Sequence, residues 1–186
     1  DVPIIAIVSR LVSHKGLDLV CKAFDEIMGL HCQFVVLGSG DYGYEQFFES
    51  KLGWLPGRMA LYRGYNEDLA MAIYAGADLF LMPSKSEPCG LSQMIAMRYG
   101  TVPIVRETGG LKDTVHPYEA WCGAGNGFTF AAYNSGDMAY VIRQAVDLYH
   151  NNRDAFKKLQ YHGMTGDYSW DKSAQAYHHI YEMIRS

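Results

Sequence analysis

The chain has 186 residues, of which 49% are apolar and 19% charged, and this length and composition are those of one ordinary globular domain. Its 16 basic and 20 acidic residues give a net charge of −4, so we expect no general attraction to nucleic acid or to a membrane. No apolar run approaches the roughly 20 residues that span a bilayer, and the spacing of the four cysteines indicates reduced thiols in a cytoplasmic protein.

Short apolar runs alternate with helix-length amphipathic stretches, which is typical of βαβ units and a mostly parallel sheet of about six strands. The chain enters a strand at once without an initiating methionine, so we expect a fragment or an artificially chosen start and not a natural N-terminus. The apolar character of the strands predicts helices on both faces of the sheet. Predicted strands occupy residues 3–8, 33–37, 59–62, 78–82, 102–105 and 127–129. Predicted helices occupy residues 16–28, 42–51, 66–75, 92–99, 135–151, 153–162 and 169–185.

Polar and glycine-rich clusters follow five of the predicted strands. Ligands of open α/β sheets bind beyond the carboxyl ends of the strands, so these clusters are expected to meet at one edge. Such convergence predicts a ligand site there. The clusters are Ser9-Arg10 with Lys15-Gly16, Gly38-Ser39-Gly40, Gly64-Tyr65, the segment from Ser84 to Gly90, and Thr108-Gly109-Gly110-Leu111.

The first and third clusters offer groups suited to a nucleotide. Arg10 supplies a planar fork and Lys15 a compact charge, and together they neutralise most of the charge of a diphosphate. The alternative is two solvated loop cations. Tyr65 offers a ring face on which a nucleobase stacks, although an ordinary core or surface tyrosine has the same sequence signature.

The fourth cluster places Glu87 just before the predicted start of a helix. Unpaired backbone amides at a helix start, here those of Gly90, Leu91 and Ser92, form an anion site. A carboxylate beside such a site repels a bare phosphate. It is compatible with a ligand that has phosphate at one end and hydroxyl groups at the other, which describes a nucleotide sugar. Simple helix capping uses the same geometry and stays open as an alternative.

In the fifth cluster, Gly109 and Gly110 after Thr108 allow backbone amides to approach a ligand closely, or form only a flexible turn. The seven histidines show no metal-ligand pattern, and no Asp-x-Asp motif is present, so we expect no metal and no cofactor.

Taken together, these motifs resemble the bacterial glycogen synthase and plant starch synthase family. The resemblance is to its C-terminal, nucleotide-sugar-binding half, so residues 1–186 are expected to form one Rossmann-like three-layer domain of the two-domain GT-B architecture. It implies that the N-terminal domain, with a lysine-glycine-glycine-leucine loop and a histidine at the reacting sugar, is absent from this chain. The motifs are Ser9-Arg10-Leu11, Lys15-Gly16-Leu17, Gly64-Tyr65, Pro83-Ser84, Glu87-Pro88-Cys89-Gly90-Leu91-Ser92-Gln93, Thr108-Gly109-Gly110-Leu111-Lys112-Asp113-Thr114-Val115 and Tyr168-Ser169-Trp170.

The resemblance also implies a role for each matching residue. Arg10 and Lys15 are implied to hold the diphosphate and stabilise the departing ADP, and Glu87 to bind hydroxyls of the donor glucose. Tyr65 is implied to stack on adenine. Residues implied to line the sugar and phosphates are Cys89, Gly90, Leu91, Ser92, Thr108 and Gly109.

The implied reaction transfers glucose from ADP-glucose to the non-reducing end of an α-1,4-glucan with retention. Many retaining GT-B enzymes carry a second glutamate eight residues after the first, where this chain has Ile95, and the synthase subfamily also lacks that glutamate. The isolated chain is expected to bind nucleotide with little or no turnover. Two alternatives stay open: a retaining GT-B enzyme of the sucrose or trehalose type that uses UDP-glucose, and a non-catalytic module that binds nucleotide or glucan.

Overall fold

The computed structural model describes residues 1–185, which contain six strands and eight α-helices. The strands are β1 (Ile4–Val8), β2 (Gln33–Gly38), β3 (Met59–Arg63), β4 (Leu79–Met82), β5 (Val102–Arg106) and β6 (Phe128–Phe130). The helices are α1 (Leu17–Met28), α2 (Tyr42–Leu52), α3 (Glu67–Gly76), α4 (Ser92–Arg98), α5 (Gly110–Thr114), α6 (Ser135–Asn151), α7 (Arg153–Thr165) and α8 (Trp170–Arg185).

All strand pairs are parallel, and the order across the sheet is β3-β2-β1-β4-β5-β6. β1 and β4 are therefore neighbours, although β2 and β3 lie between them in the sequence. The chain reverses its direction of winding at this pair, and such a switch point opens a crevice beyond the carboxyl ends of the two strands. The predicted parallel sheet of about six strands is confirmed.

The two faces of the sheet are buried by different helices because side chains alternate along each strand. On one face, Ile5 and Ile7 pack in the main core with residues of α1, α2, α6 and α7. On the other, Ala6 and Phe80 pack against α3 and α4. The expectation of cover on both faces is wrong for β3, where Tyr62 is exposed because the strand lies at the sheet edge.

Asparagine side chains are the N-caps of three helices. Asn66 accepts a hydrogen bond from the Leu69 amide at the start of α3, and Asn134 and Asn152 cap α6 and α7 in the same way. Each cap satisfies amides that have no partner inside their own helix. Residues after an N-cap follow helical periodicity, which is why these helix starts were predicted within one residue.

Two short elements and one terminal helix complete the chain. The 3-10 turn Ser13–Lys15 and the five-residue helix α5 were not predicted. Helix α8 has no buried residue over Trp170–Arg185. Within residues 1–185, no helix is both long enough and apolar enough to cross a membrane.

Candidate functional site

The loop after β1 is joined to the loop after β4. The amide of Lys85 donates to the carbonyl oxygen of His14 at 2.9 Å. Gly16 has a φ of 75°, and a Cβ at this position would lie 2.0 Å from the carbonyl oxygen of Pro83. Only glycine therefore allows this close approach. The approach brings Arg10 and Lys15 to the crevice between β1 and β4.

Lys15 and Glu87 form an ion pair in this crevice. The Lys15 Nζ lies 2.6 Å from Glu87 Oε2, and the two side chains are only 18% and 12% exposed. The Ser84 hydroxyl donates to the same oxygen at 3.2 Å. No group among residues 1–185 hydrogen-bonds to Oε1 of Glu87, so this oxygen is available to a ligand. The sequence predicted that both residues belong to one site, but not that they touch.

Two adjoining cavities lie beside the pair on its Lys15 side. The smaller, of 220 Å³, is lined by Lys15 and Ser84. The larger, of 340 Å³, lies between β2, α3 and α4, and is lined by Tyr65 and Ile95. Ser9, Arg10 and Ser92 line both. Tyr65 is 83% exposed, so one face of its ring is open to a planar ligand.

The start of α4 provides backbone donors beside these cavities. Leu91 is the N-cap residue, and no side chain caps this helix. In the described part of the chain, no group accepts a hydrogen bond from the amides of Gly90, Leu91 or Ser92. The helix-start amides are therefore unpaired, as the sequence predicted. Capping by the Ser92 side chain, the alternative, does not occur in this structure.

Gly109 and Gly110 pack against the Glu87 loop. Gly109 has a φ of 47°, and a Cβ there would lie 2.2 Å from the carbonyl oxygen of Glu87. The Gly110 amide donates to the carbonyl oxygen of Pro88 at 3.1 Å. The two glycines therefore permit contact between loops, which explains their presence without a ligand. Approach of Thr108 and Gly109 to a ligand stays a prediction.

Sequence reasoning missed two side chains that fix the Glu87 loop. Gln93 is fully buried, and its Nε2 donates to the carbonyl oxygen of Gly90 at 2.9 Å and to Thr114 Oγ1 at 3.2 Å. Arg106, at the end of β5, donates to the carbonyl oxygens of Ser84 and Lys85 at 3.3 and 3.0 Å. A polar residue on the buried side of α4 was the available signal for Gln93. No motif or spacing in the sequence distinguishes Arg106 from other arginines.

Positive charge accumulates on the side of the crevice away from Tyr65. The guanidinium carbon of Arg106 and Nζ of Lys85 lie 5.5 and 5.8 Å from the ring centre of Tyr133. The Tyr133 hydroxyl donates to the carboxylate of Asp18. Burial and that carboxylate together raise the pKa of Tyr133, so the phenol stays neutral and keeps its donor role.

Within residues 1–185, no three His, Cys, Asp or Glu side chains group as metal ligands.

The sequence of residues 1–162 matches the family described as glycosyl transferases group 1. The chain belongs to this family. Over 184 residues, the group 1 domain is 51% identical to a glycogen synthase of Desulfitobacterium hafniense, and the match covers 99% of the chain and 39% of that protein. The sequence resemblance to glycogen synthases is thereby confirmed.

Solved structures show the same fold. The group 1 domain is similar to the catalytic domain of Starch Synthase IV from Arabidopsis thaliana bound to ADP and acarbose, with a TM-score of 0.88 and 36% identity over 98% of the chain and 38% of that chain. A sucrose-phosphate synthase of Thermosynechococcus elongatus shares the fold alone, with a TM-score of 0.72 and 22% identity over 99% of the chain and 46% of that chain. The expected Rossmann-like fold of a GT-B C-terminal domain is confirmed. The chain spans less than half the length of these relatives.

Proposed function

We propose that this chain is the donor-binding domain of a glycogen or starch synthase, which transfers glucose from ADP-glucose to the non-reducing end of an α-1,4-glucan with retention. The observation that carries the proposal is the Lys15–Glu87 pair beside the unpaired amides of α4. It combines positive groups for phosphate with a carboxylate oxygen for a sugar hydroxyl. The 51% identity to a glycogen synthase supports the reaction, and the starch synthase solved with ADP supports an adenine nucleotide.

In this reaction the bond between glucose and diphosphate breaks, and positive charge develops on the sugar. Arg10, Lys15 and the α4 amides stabilise the negative charge on the departing ADP. Glu87 binds donor hydroxyls through Oε1, and its charge favours the developing positive charge on the sugar. Because these side chains supply the charge, we propose that the reaction needs no metal and no cofactor.

The positions of the two cavities support the remaining roles that we propose. Adenine lies in the 340 Å³ cavity and stacks on Tyr65. The diphosphate lies where the two cavities meet, between Arg10 and Ser92. Residues proposed to line the sugar and the distal phosphate are Cys89, Gly90, Leu91, Thr108 and Gly109.

We further propose that residues 1–186 are the C-terminal domain of a two-domain protein. The other domain contributes most contacts to the glucan acceptor. The isolated chain then binds ADP but turns over little or no donor, because only one side of the active site is present.

Calorimetry with ADP tests the phosphate site. We expect Arg10→Ala and Lys15→Ala each to weaken ADP binding by about tenfold or more, because each removes a charged hydrogen bond to phosphate. Lys157→Ala, an exposed lysine on α7, is the control for loss of one positive charge. Undiminished binding in the Arg10→Ala/Lys15→Ala double variant contradicts the assignment.

Two further measurements separate this function from its alternatives. A clear preference of the chain for UDP over ADP would contradict the ADP-glucose donor and support a sucrose- or trehalose-type enzyme. Joining the chain to the N-terminal half of the Desulfitobacterium hafniense glycogen synthase is expected to restore glucan synthesis from ADP-glucose. A folded hybrid that binds ADP and makes no glucan would support a non-catalytic module instead.

A further inference from the structure

A groove that is separate from the candidate nucleotide site lies between the ends of α1 and α2. It has a volume of 470 Å³, within the usual range for small-molecule sites. Trp54 stands at its edge with 83% of its surface exposed. We name this feature the Trp54 groove, and the residues that define it are Asp25, Met28, Ser50, Lys51, Trp54 and Leu55.

The Trp54 groove lies at the opposite edge of the sheet from the nucleotide site. The end of α1 leads into β2 and the end of α2 leads into β3, so both helix ends lie at the amino ends of strands. The nucleotide site is built from loops after the carboxyl ends. A ligand in the Trp54 groove therefore cannot take part in the chemistry.

The walls of the groove are fixed before any ligand arrives. The Arg58 guanidinium donates to the carbonyl oxygens of Met28, Leu30 and Cys32 at 2.7 to 3.1 Å, which holds the end of α1. The Trp54 amide donates to the carbonyl oxygen of Lys51 at 3.1 Å, which holds the turn that carries the indole. Fixed walls reduce the entropy lost when a ligand binds.

The groove combines apolar side chains with one basic and one acidic residue, so its lining has no net charge. Nζ of Lys51 lies 2.6 Å from Oδ1 of Asp25, so the two charges compensate each other. The same Nζ lies 5.6 and 5.4 Å from the ring centres of Phe24 and Phe47, which limits its movement. An ionic ligand gains little here. A neutral ligand with many hydroxyl groups can accept from Lys51 and donate to Asp25.

The exposed indole is suited to a pyranose ring. The C–H groups on one face of a glucose ring form a flat apolar surface, and an aromatic ring covers it while the hydroxyls at the ring edge reach polar neighbours. A protein partner is less compatible, because Lys22 and Glu26 on α1 and Glu49 on α2 are exposed charged residues of the two helices that form the groove. The centres of protein interfaces are depleted in charge.

We propose that the Trp54 groove is a second carbohydrate-binding site, which holds a stretch of α-1,4-glucan by stacking on Trp54 and by hydrogen bonds to Asp25, Ser50 and Lys51. This inference rests on the proposed function, because that function makes a long glucan the acceptor. A glucan chain or branch held at this site stays near the enzyme between transfers, which raises its effective concentration.

Native electrophoresis of the chain in gels containing soluble glycogen tests the site. The parent chain is expected to be retarded, and the dissociation constant from retardation is expected to rise about tenfold in Trp54→Ala. Trp121→Ala is the matched control, because Trp121 is 86% exposed and lies outside the groove. Asp25→Asn, which keeps the size of the side chain, is expected to weaken binding less than Trp54→Ala.

The possible results test three statements separately: the location of the site, the identity of its ligand, and the proposed function of the chain. Equal retardation of Trp54→Ala and Trp121→Ala would overturn the site, and equal retardation in gels of a β-1,3-glucan would overturn the α-1,4 specificity. An unretarded parent chain that binds ADP would overturn this inference and leave the proposed function standing. Retardation that depends on Trp54 in a chain that does not bind ADP would support the glucan site and count against the donor site.

Discussion

Nζ of Lys15 and Oε2 of Glu87 lie 2.6 Å apart, although 72 residues separate them in the sequence. The pair joins the loop after β1 to the loop after β4 across the switch point of the sheet. In the absence of ligand, the carboxylate compensates part of the lysine charge. The net positive charge that Lys15 offers to a diphosphate is therefore smaller than that of an unpaired lysine.

The ion pair predicts that the effects of mutations at Lys15 and Glu87 on ADP binding are not additive. Glu87→Gln is expected to strengthen ADP binding, because it frees Lys15 from its partner. Lys15→Ala is expected to weaken binding by about tenfold to a hundredfold, since a charged hydrogen bond is lost and an unpaired carboxylate remains. The Lys15→Ala/Glu87→Gln double variant is expected to bind better than Lys15→Ala alone. Calorimetric titration of the four proteins measures the coupling.

A coupling energy of zero in this cycle would contradict the prediction, because it would mean that the two side chains act on ADP independently. Circular dichroism of all four proteins checks that the fold is kept. Arg10→Ala combined with Glu87→Gln is the control, since Arg10 makes no ion pair with Glu87 among the described residues.

Gly16→Ala is expected to destabilise the domain by at least about 2 kcal/mol and to weaken ADP binding, because it combines a positive φ with a backbone clash. Its Cβ would lie 2.0 Å from the carbonyl oxygen of Pro83. Variants of two other glycines separate the effect of the positive φ from the effect of the backbone clash. Gly57 has a φ of 72° with nothing within 4 Å of a Cβ, so Gly57→Ala is expected to cost about 1 kcal/mol. Gly53 has neither constraint, and Gly53→Ala is expected to be neutral or stabilising by up to about 1 kcal/mol.

Urea unfolding of the three glycine variants measures these differences in the free energy of unfolding. If Gly16→Ala costs no more than Gly57→Ala, the contact with Pro83 does not constrain the loop. Unchanged ADP binding in a destabilised Gly16→Ala protein would show that the fold of this loop is not needed for the proposed phosphate site.

The fold was largely predictable because buried parallel strands are short apolar runs and the helices between them have helical periodicity. The two elements that were missed are too short for periodicity to show. The 3-10 turn Ser13–Lys15 has three polar residues, and α5 begins with the second glycine of a predicted turn. The edge position of β3 depends on strand order, which no local pattern reports.

The site was predictable only as a set of converging loops. The rule that ligands bind beyond the carboxyl ends of parallel strands brought Arg10, Lys15 and Glu87 together correctly. The Lys15–Glu87 contact depends on how the two loops pack through Gly16, which is a tertiary property. The role of Arg106 depends on carbonyl groups of another loop, and backbone groups carry no signal in the sequence.

Asn126 is expected to contribute more to the free energy of unfolding than an asparagine that only caps a helix. Its side chain is buried, accepts from the His116 amide at 2.7 Å, and donates to the Thr114 carbonyl oxygen and the Tyr168 hydroxyl at 3.0 Å. Asn126→Ala leaves these buried groups short of partners, so we expect a loss of about 2 to 4 kcal/mol. Asn134→Ala, which removes the exposed cap of α6, is expected to cost about 1 kcal/mol. Equal losses in denaturant unfolding would show that burial does not strengthen the Asn126 contacts.

The thiol of Cys32 is expected to make stability fall at alkaline pH. Burial raises its pKa from the ordinary value of 9.0 to about 11, against the opposing effect of Arg58. In this window the unfolded chain loses the proton and the folded chain keeps it, so the folded state binds more protons and the free energy of unfolding decreases as pH rises. The contribution is fully present below pH 9 and is lost as pH rises toward 11, with a total of about 2 to 3 kcal/mol.

Cys32→Ala removes this titrating group, so its free energy of unfolding is expected to fall less steeply between pH 9 and pH 11 than that of the parent, whatever its baseline stability. Cys21 also has its pKa raised to about 11, chiefly by burial, and Cys21→Ala is expected to reduce the slope independently. Cys89→Ala is the control, because this cysteine is exposed. Urea unfolding at several pH values gives the slopes. Parallel slopes for the parent and Cys32→Ala would mean that the Cys32 thiol ionises with the same pKa in the folded and unfolded states.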